Sequence, residues 1–256
     1  MLMNTKERKE FLDLKATQYE HPEFIETDPI QIPHLYTHKQ DIEIAGFLTA
    51  TISWGNRKSI LTNAHKLMNI MGNSPHDFVI SHTDSDLERL EGFVHRTFNS
   101  IDAGYFITAL KHLYTQHPDM ERVFMPFAKD PDLQKALHEF RAFFFSIPHP
   151  PRTTKHVSDP MRNSAAKRLH MFLRWMVRPN TAGVDLGIWK SLSTAQLSCP
   201  LDVHSGNVAR KLKLLKRKQN DGKALLELDT ALRKLDPLDP VKYDYALFGL
   251  GVFEGF

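Results

Sequence analysis

Apolar residues recur at offsets of three and four along most of the chain, which is the spacing of one helix face. The stretch from Asp41 to about Ser53 carries Ile44, Ala45, Leu48 and Ile52 on one stripe. Ser59 to Met71 carries Ile60, Ala64, Leu67 and Met71, and Asp102 to Gln116 carries Phe106, Leu110 and Leu113. Leu133 to Phe145 carries Leu133, Ala136, Leu137, Phe140 and Phe144. Ala165 to Val177 carries Leu169, Phe172, Leu173 and Met176, and Gly206 to Leu215 carries Val208, Leu212 and Leu215. A last helix is predicted over about Val241 to Leu250. Strict strand-type alternation is scarce, so the pattern predicts an all-α protein.

Prolines agree with these bounds. Pro75, Pro118, Pro126 and Pro131 fall between the periodic stretches, and Asp236-Pro237-Leu238-Asp239-Pro240 reads as a turn. The segment Ile147 to Lys155 holds three prolines and cannot be regular helix, which places a lobe boundary near 147–160.

Composition narrows the class. With 256 residues, 41% hydrophobic and 25% charged, the chain can bury a sizeable core and does not read as disordered. The single cysteine, Cys199, excludes an intrachain disulfide framework and a four-cysteine metal or cluster site within one chain. No apolar run approaches the roughly 18–20 residues that span a bilayer, and the charged first fifteen residues lack a signal core. A soluble protein of the reducing cytosol, with no membrane partner, is expected.

Charge is lopsided. The net value is only +3, yet residues 151–220 carry +11 and the remainder carries −8. A basic block of that density is the footprint of a polyanion-binding face. It contains a stretch read as a basic helix from about Ser205 to Lys218.

Two helix starts in this block hold groups that can do chemistry. Asp202, in Pro200-Leu201-Asp202-Val203-His204, stands where a carboxylate caps a helix and can also stabilise a nearby cation. Lys167, 35 positions earlier, opens an apolar helix beside Arg162 and Arg168, cations that would help hold an amine neutral for attack on carbon. Free N–H groups at the same helix starts can hold phosphates. Arg174, Arg178, Arg210, Lys211, Lys213, Lys216, Arg217 and Lys218 are further phosphate candidates. Trp54, Trp175 and Trp189 could stack on an extruded base. Trp54 is the best placed, in the polar break Thr51-Ile52-Ser53-Trp54-Gly55-Asn56-Arg57-Lys58. His204, two residues after Asp202, is the weakest of metal hints; no metal site is expected. Walker, dinucleotide and nucleophile-elbow motifs are absent.

These segments resemble, in order, the helix-hairpin-helix base-excision DNA glycosylases. Ala45 to Ser53 is similar to the "LLSAQ"-like run of the endonuclease III type, with Thr51 in place of the glutamine that probes the DNA stack. Pro200 to His204 is similar to the "PVDTH" run that carries the catalytic aspartate, and Val208 to Leu212 continues the likeness. Ala246 to Gly251 is similar to the closing "LILHG" helix. The Lys167-to-Asp202 spacing is closest to that of the archaeal glycosylases that remove 8-oxoguanine. The whole chain also resembles an uncharacterised bacterial family of the DUF2400 type. Two features depart from the pattern: Asp159 to Ser164 stands where a glycine-rich "LPGVG" hairpin belongs, with Asn163 able to supply the left-handed turn, and the iron–sulfur cysteines are missing.

The resemblance implies a two-lobed helical bundle with a catalytic core over about 158–220 and residues 221–256 packing back on the N-terminal part. It implies a monomer, associated with the bacterial nucleoid, acting on damaged duplex DNA without a cofactor. Lys167 would be the Schiff-base nucleophile and Asp202 its electrostatic partner, with an oxidised purine such as 8-oxoguanine as substrate and strand cleavage by β-elimination as a second step. Thr51, Arg57, Lys58, Arg162, Asn163, Ser164, Arg168, His204, Ser205, Arg210 and Lys211 would contact DNA, and Trp54 and Trp175 would stack on bases. The competing readings are a non-catalytic DNA- or RNA-binding protein on the same scaffold and an unrelated helical enzyme with an anionic substrate.

Overall fold

Eleven of the fourteen residues of the helix Lys39–Ile52 are buried, so its apolar stripe widens into an all-round core helix. The computed structural model describes residues 3–256 and is all-α apart from one short hairpin. Its helices are α1 (Thr5–Tyr19), α2 (Lys39–Ile52), α3 (Arg57–Ile70), α4 (Pro75–Ser81) and α5 (Asp84–Glu88). A hairpin of β1 (Val94–His95) and β2 (Phe98–Asn99) follows. Then come α6 (Ser100–Gln116), α7 (Glu121–Phe124), α8 (Gln134–Phe144), α9 (Lys167–Val177), α10 (Val203–Lys211), α11 (Gly222–Leu235) and α12 (Tyr243–Val252).

Two hydrophobic cores form. The first gathers α2, α3, α6, α8 and α9 around Phe47, whose ring meets Phe106, Phe140, Phe144 and Phe172. Gly46 lets α9 lie close on α2: a Cβ there would stand 3.0 Å from the Met176 methyl. The second core joins α1, α10, α11 and α12 through Leu12, Val208, Leu225, Leu232, Leu247 and Leu250. Gly249 brings α12 against α1, where a Cβ would fall 2.1 Å from the Tyr19 ring.

Two of the places where the chain passes between the cores flank the candidate chemistry. Ala165 belongs to the second core and Ala166 to the first; Leu197 belongs to the first and Cys199 to the second. Lys167 and Asp202 each stand just past a crossing, so the connectivity sets both at the seam. Buried ion pairs tie the seam. Arg174 meets Asp185 and Asp244, and Arg178 meets Glu20, Asp185 and Asp239.

The basic helix expected from Ser205 to Lys218 is shorter, ending at Lys211. Lys213 turns left-handed (φ 60°), and the N–H groups of Leu214 and Leu215 donate back to the Ala209 carbonyl. This turn buries Leu212, Leu214 and Leu215 together, which a continuing helix would have spread over two faces. The proline-rich segment forms a tight 3₁₀ turn over Pro151–His156.

Candidate functional site

Along the seam lies a cleft of about 660 Å³ whose lining includes Lys167, Asp202 and residues from the segment before α2, the α2–α3 junction and α12.

Lys167 opens α9. The turn before it holds two left-handed residues, Asn163 (φ 62°) and Ala166 (φ 40°), the second a strained position for a residue with a Cβ. Ser164 Oγ accepts from the Ala166 N–H and Asn163 Oδ1 from the Lys223 N–H, so both are spent on holding the turn. Among the described residues no side chain caps α9, and the Lys167 and Arg168 N–H groups have no hydrogen-bond partner. The Lys167 amine rests on the Met171 sulfur at 3.4 Å, half-buried.

Asp202 caps α10 in a reciprocal box. Its Oδ1 accepts from the Ser205 N–H at 2.9 Å, while Ser205 Oγ accepts from the Asp202 N–H at 2.9 Å. Among the described residues Oδ2 has no hydrogen-bond donor, so one oxygen is fixed and the other is free for a ligand. Ser205→Ala breaks half of the box, and the expected result is a loss of about 1 kcal/mol, read as a shift of ~2–4 °C in thermal melting.

Opposite charges share the cleft. Arg57, Lys167, Arg168 and Arg174 line it, but so do Asp28, Asp202 and Asp244. Burial pushes the Asp28 carboxyl up, against the pull of the Ile30 N–H and Arg174. Burial also pushes Asp244 up, with Arg174 pulling it down. Arg168 lies over the Trp54 ring at 4.7 Å and donates to the Thr51 carbonyl; burial lowers its guanidinium to about 10. Phe24 and Phe248 meet edge to face at 6.0 Å on the apolar side.

Of the residues expected from sequence, Lys167, Asp202, Trp54, Arg57, Arg168 and His204 come together in this lining. Lys58, Arg162 and Lys211 are exposed outside it. Several expectations need correction. Thr51 is buried and offers only its carbonyl, to Arg168, so its side chain cannot probe a DNA stack. Ser205 is buried in the capping box and cannot reach a phosphate with its hydroxyl. Trp175 and Trp189 are core residues with no access for a base; Trp189 donates to buried Glu43 at 2.6 Å. Arg174 and Arg178 are enclosed in ion pairs, and Arg210 closes the 217–220 loop through the Arg217 carbonyl and Asn220. The +11 block therefore overstates the charge available on the surface. Nothing in the sequence pattern alone assigns Asp28, Asp244, Phe24 or Phe248 to the site. An acidic residue inside the otherwise apolar last helix was the available signal for Asp244. Asp28 reads from sequence only as a turn cap. Among the described residues no cluster of three His, Cys, Asp or Glu is placed to hold a metal ion, and no helix is long and apolar enough to cross a membrane.

Compared with known proteins, residues 28–253 match a family model described as "Protein of unknown function (DUF2400)". No curated protein and no solved structure matches the chain.

Proposed function

The chain belongs to the DUF2400 family, whose function is unknown, and from that premise we propose that it is a DNA base-excision glycosylase with lyase activity, of the helix-hairpin-helix kind. One observation carries the reading: an amine and a carboxylate 35 residues apart line one cleft, at the starts of two helices. The cleft volume is in the range that takes a small ligand such as a flipped nucleoside.

In this reading a damaged base leaves the duplex and enters between Trp54, Phe24 and Phe248. The Lys167 amine, once it has given up a proton, attacks C1′ of the deoxyribose and the base departs. The free Oδ2 of Asp202 faces the positive charge that develops on the sugar. Opening of the sugar gives a Schiff base on Lys167, from which β-elimination releases the 3′ phosphate. In this reading the uncapped start of α9 and the Arg57 side chain would hold backbone phosphates, Arg168 would have to leave the Thr51 carbonyl to join them, and Lys58, Arg162 and Lys211 would supply attraction at longer range. An oxidised purine such as 8-oxoguanine is the first substrate to try.

The test is borohydride trapping on duplexes carrying 8-oxoguanine, other oxidised or alkylated bases, or an abasic site. A covalent protein–DNA adduct on the abasic duplex and on at least one lesion is the expected result. Salt-sensitive binding with no adduct on any of them would replace this reading with a non-catalytic nucleic-acid-binding protein. Absence of both would point to a helical enzyme with another anionic substrate.

A further inference from the structure

A lysine that attacks C1′ must first lose a proton, and the departing base must gain one. Among the described residues no carboxylate lies within ion-pair distance of the Lys167 amine. The three carboxylates of the cleft differ in how far they are already engaged. Asp244 is held by the Arg174 guanidinium on one oxygen and faces the Cys199 thiol at 3.6 Å on the other. Asp202 has one oxygen fixed by Ser205, and the other is turned to the sugar in the proposed reaction.

Among the described residues Asp28 has no ion pair. Its Oδ1 accepts the Ile30 N–H at 3.1 Å, its Oδ2 has no donor among the described residues, and only 7% of the residue is exposed. It is fixed at the start of the Pro29–Gln31 turn, and Asp28 and Pro29 both line the cleft. Arg174 and Lys167 from α9 and Arg57 from α3 pull on it electrostatically, and Arg168, Asp202 and Asp244 line the same cleft. A buried carboxyl with a free oxygen lines the same cleft as the Lys167 amine, so a proton can pass between them through water in the cleft.

Resting on the glycosylase reading, we propose that Asp28 is the proton carrier of the cleft: its carboxylate takes a proton from the Lys167 ammonium by way of a bridging water, since the two are not in direct contact, and the acid so formed gives that proton to the departing base. The steps balance. The ammonium and carboxylate become amine and acid; the amine nitrogen bonds to C1′ as the glycosidic bond breaks onto the base; the base anion takes the acid's proton and the carboxylate returns. Burial that favours the neutral carboxyl works in the same direction.

Asp28→Asn keeps an oxygen for the Ile30 N–H but cannot carry a proton. Asp28→Ser keeps a capping oxygen in a smaller side chain, and melting curves of both variants establish that they fold. With Asp28 present to take the proton, the wild-type rate is expected to change little across neutral pH. In the variants the amine must lose its proton to solvent, so the rate rises with pH. Expected at neutral pH is a fall of about 100-fold in base release. Raising the pH restores adduct formation on the abasic duplex, which has no base to protonate, but restores release of the lesion base only in part. Variants with the wild-type rate and a flat profile overturn the role, as do folded variants that are equally slow at every pH on both duplexes. A wild-type protein that traps neither duplex overturns the glycosylase reading instead, and the role with it.

Discussion

Lys167→Ala is expected to abolish the borohydride-trapped adduct and to lower base release on the order of 10⁴-fold or more, because the bond to C1′ has no other maker. The fold should not change. The side chain is half-buried, its amine hydrogen-bonds among the described residues to the Met171 sulfur alone, and it stands in the first turn of α9, where a positive charge opposes the helix dipole. Stability within about 0.5 kcal/mol of wild type is therefore expected. Lys167→Arg separates chemistry from attraction. It keeps the charge, so salt-dependent DNA binding should persist while the adduct disappears. An adduct that survives in Lys167→Ala at wild-type yield would remove Lys167 from the mechanism, and a second amine would have to be sought. Loss of melting cooperativity would mean that the lysine is structural, contrary to its exposure.

What the sequence disclosed follows the strength of each local signal. Helices α2, α3, α6, α8 and α9 came out within a residue or two because each buries a stripe that repeats at helical spacing. Helix α1 was not read from the pattern: only Leu12 and Ala16 are buried in a chain of lysines and glutamates. Helix α11 does carry a stripe, Leu225, Leu228, Leu232 and Leu235, that could have been found. The end of α10 was misread because a run of leucines and lysines continues the helical spacing past Lys211, whereas burial of Leu214 and Leu215 selects a left-handed turn at Lys213. The lysine and aspartate of the site were legible because each stands at a helix start. Asp28 and Asp244 were not, because what makes them notable is enclosure by residues far away in the chain. The same cause explains the tryptophans: identity cannot tell Trp54 at the cleft from Trp175, which is 0% exposed.

Arg174→Met is expected to cost about 3–5 kcal/mol, the largest loss of stability from one change at the seam. The guanidinium is only 4% exposed; it holds Asp185 at 3.2 Å, pairs with Asp244, and lies over the Tyr245 ring at 4.3 Å. Methionine fills much of the space but leaves Asp244 without a cation, whereas Asp185 keeps Arg178 at 3.0 Å. At ~2–4 °C per kcal/mol the melting temperature should fall by roughly 10 °C. The loss should grow with pH. An enclosed carboxyl deprived of its cation binds its proton more tightly in the folded chain than in the unfolded one. Stability is then present below the unfolded value and falls as pH rises through the folded value. Adding Asp244→Asn removes the uncompensated charge, and the double variant should regain a large part of the loss and lose the added pH dependence. Because Arg174 and Asp244 both line the cleft, the double variant also separates two roles for the pair. Recovered stability with trapping still impaired would mean that the charges shape the site; recovery of both would mean that they serve only to join the two cores.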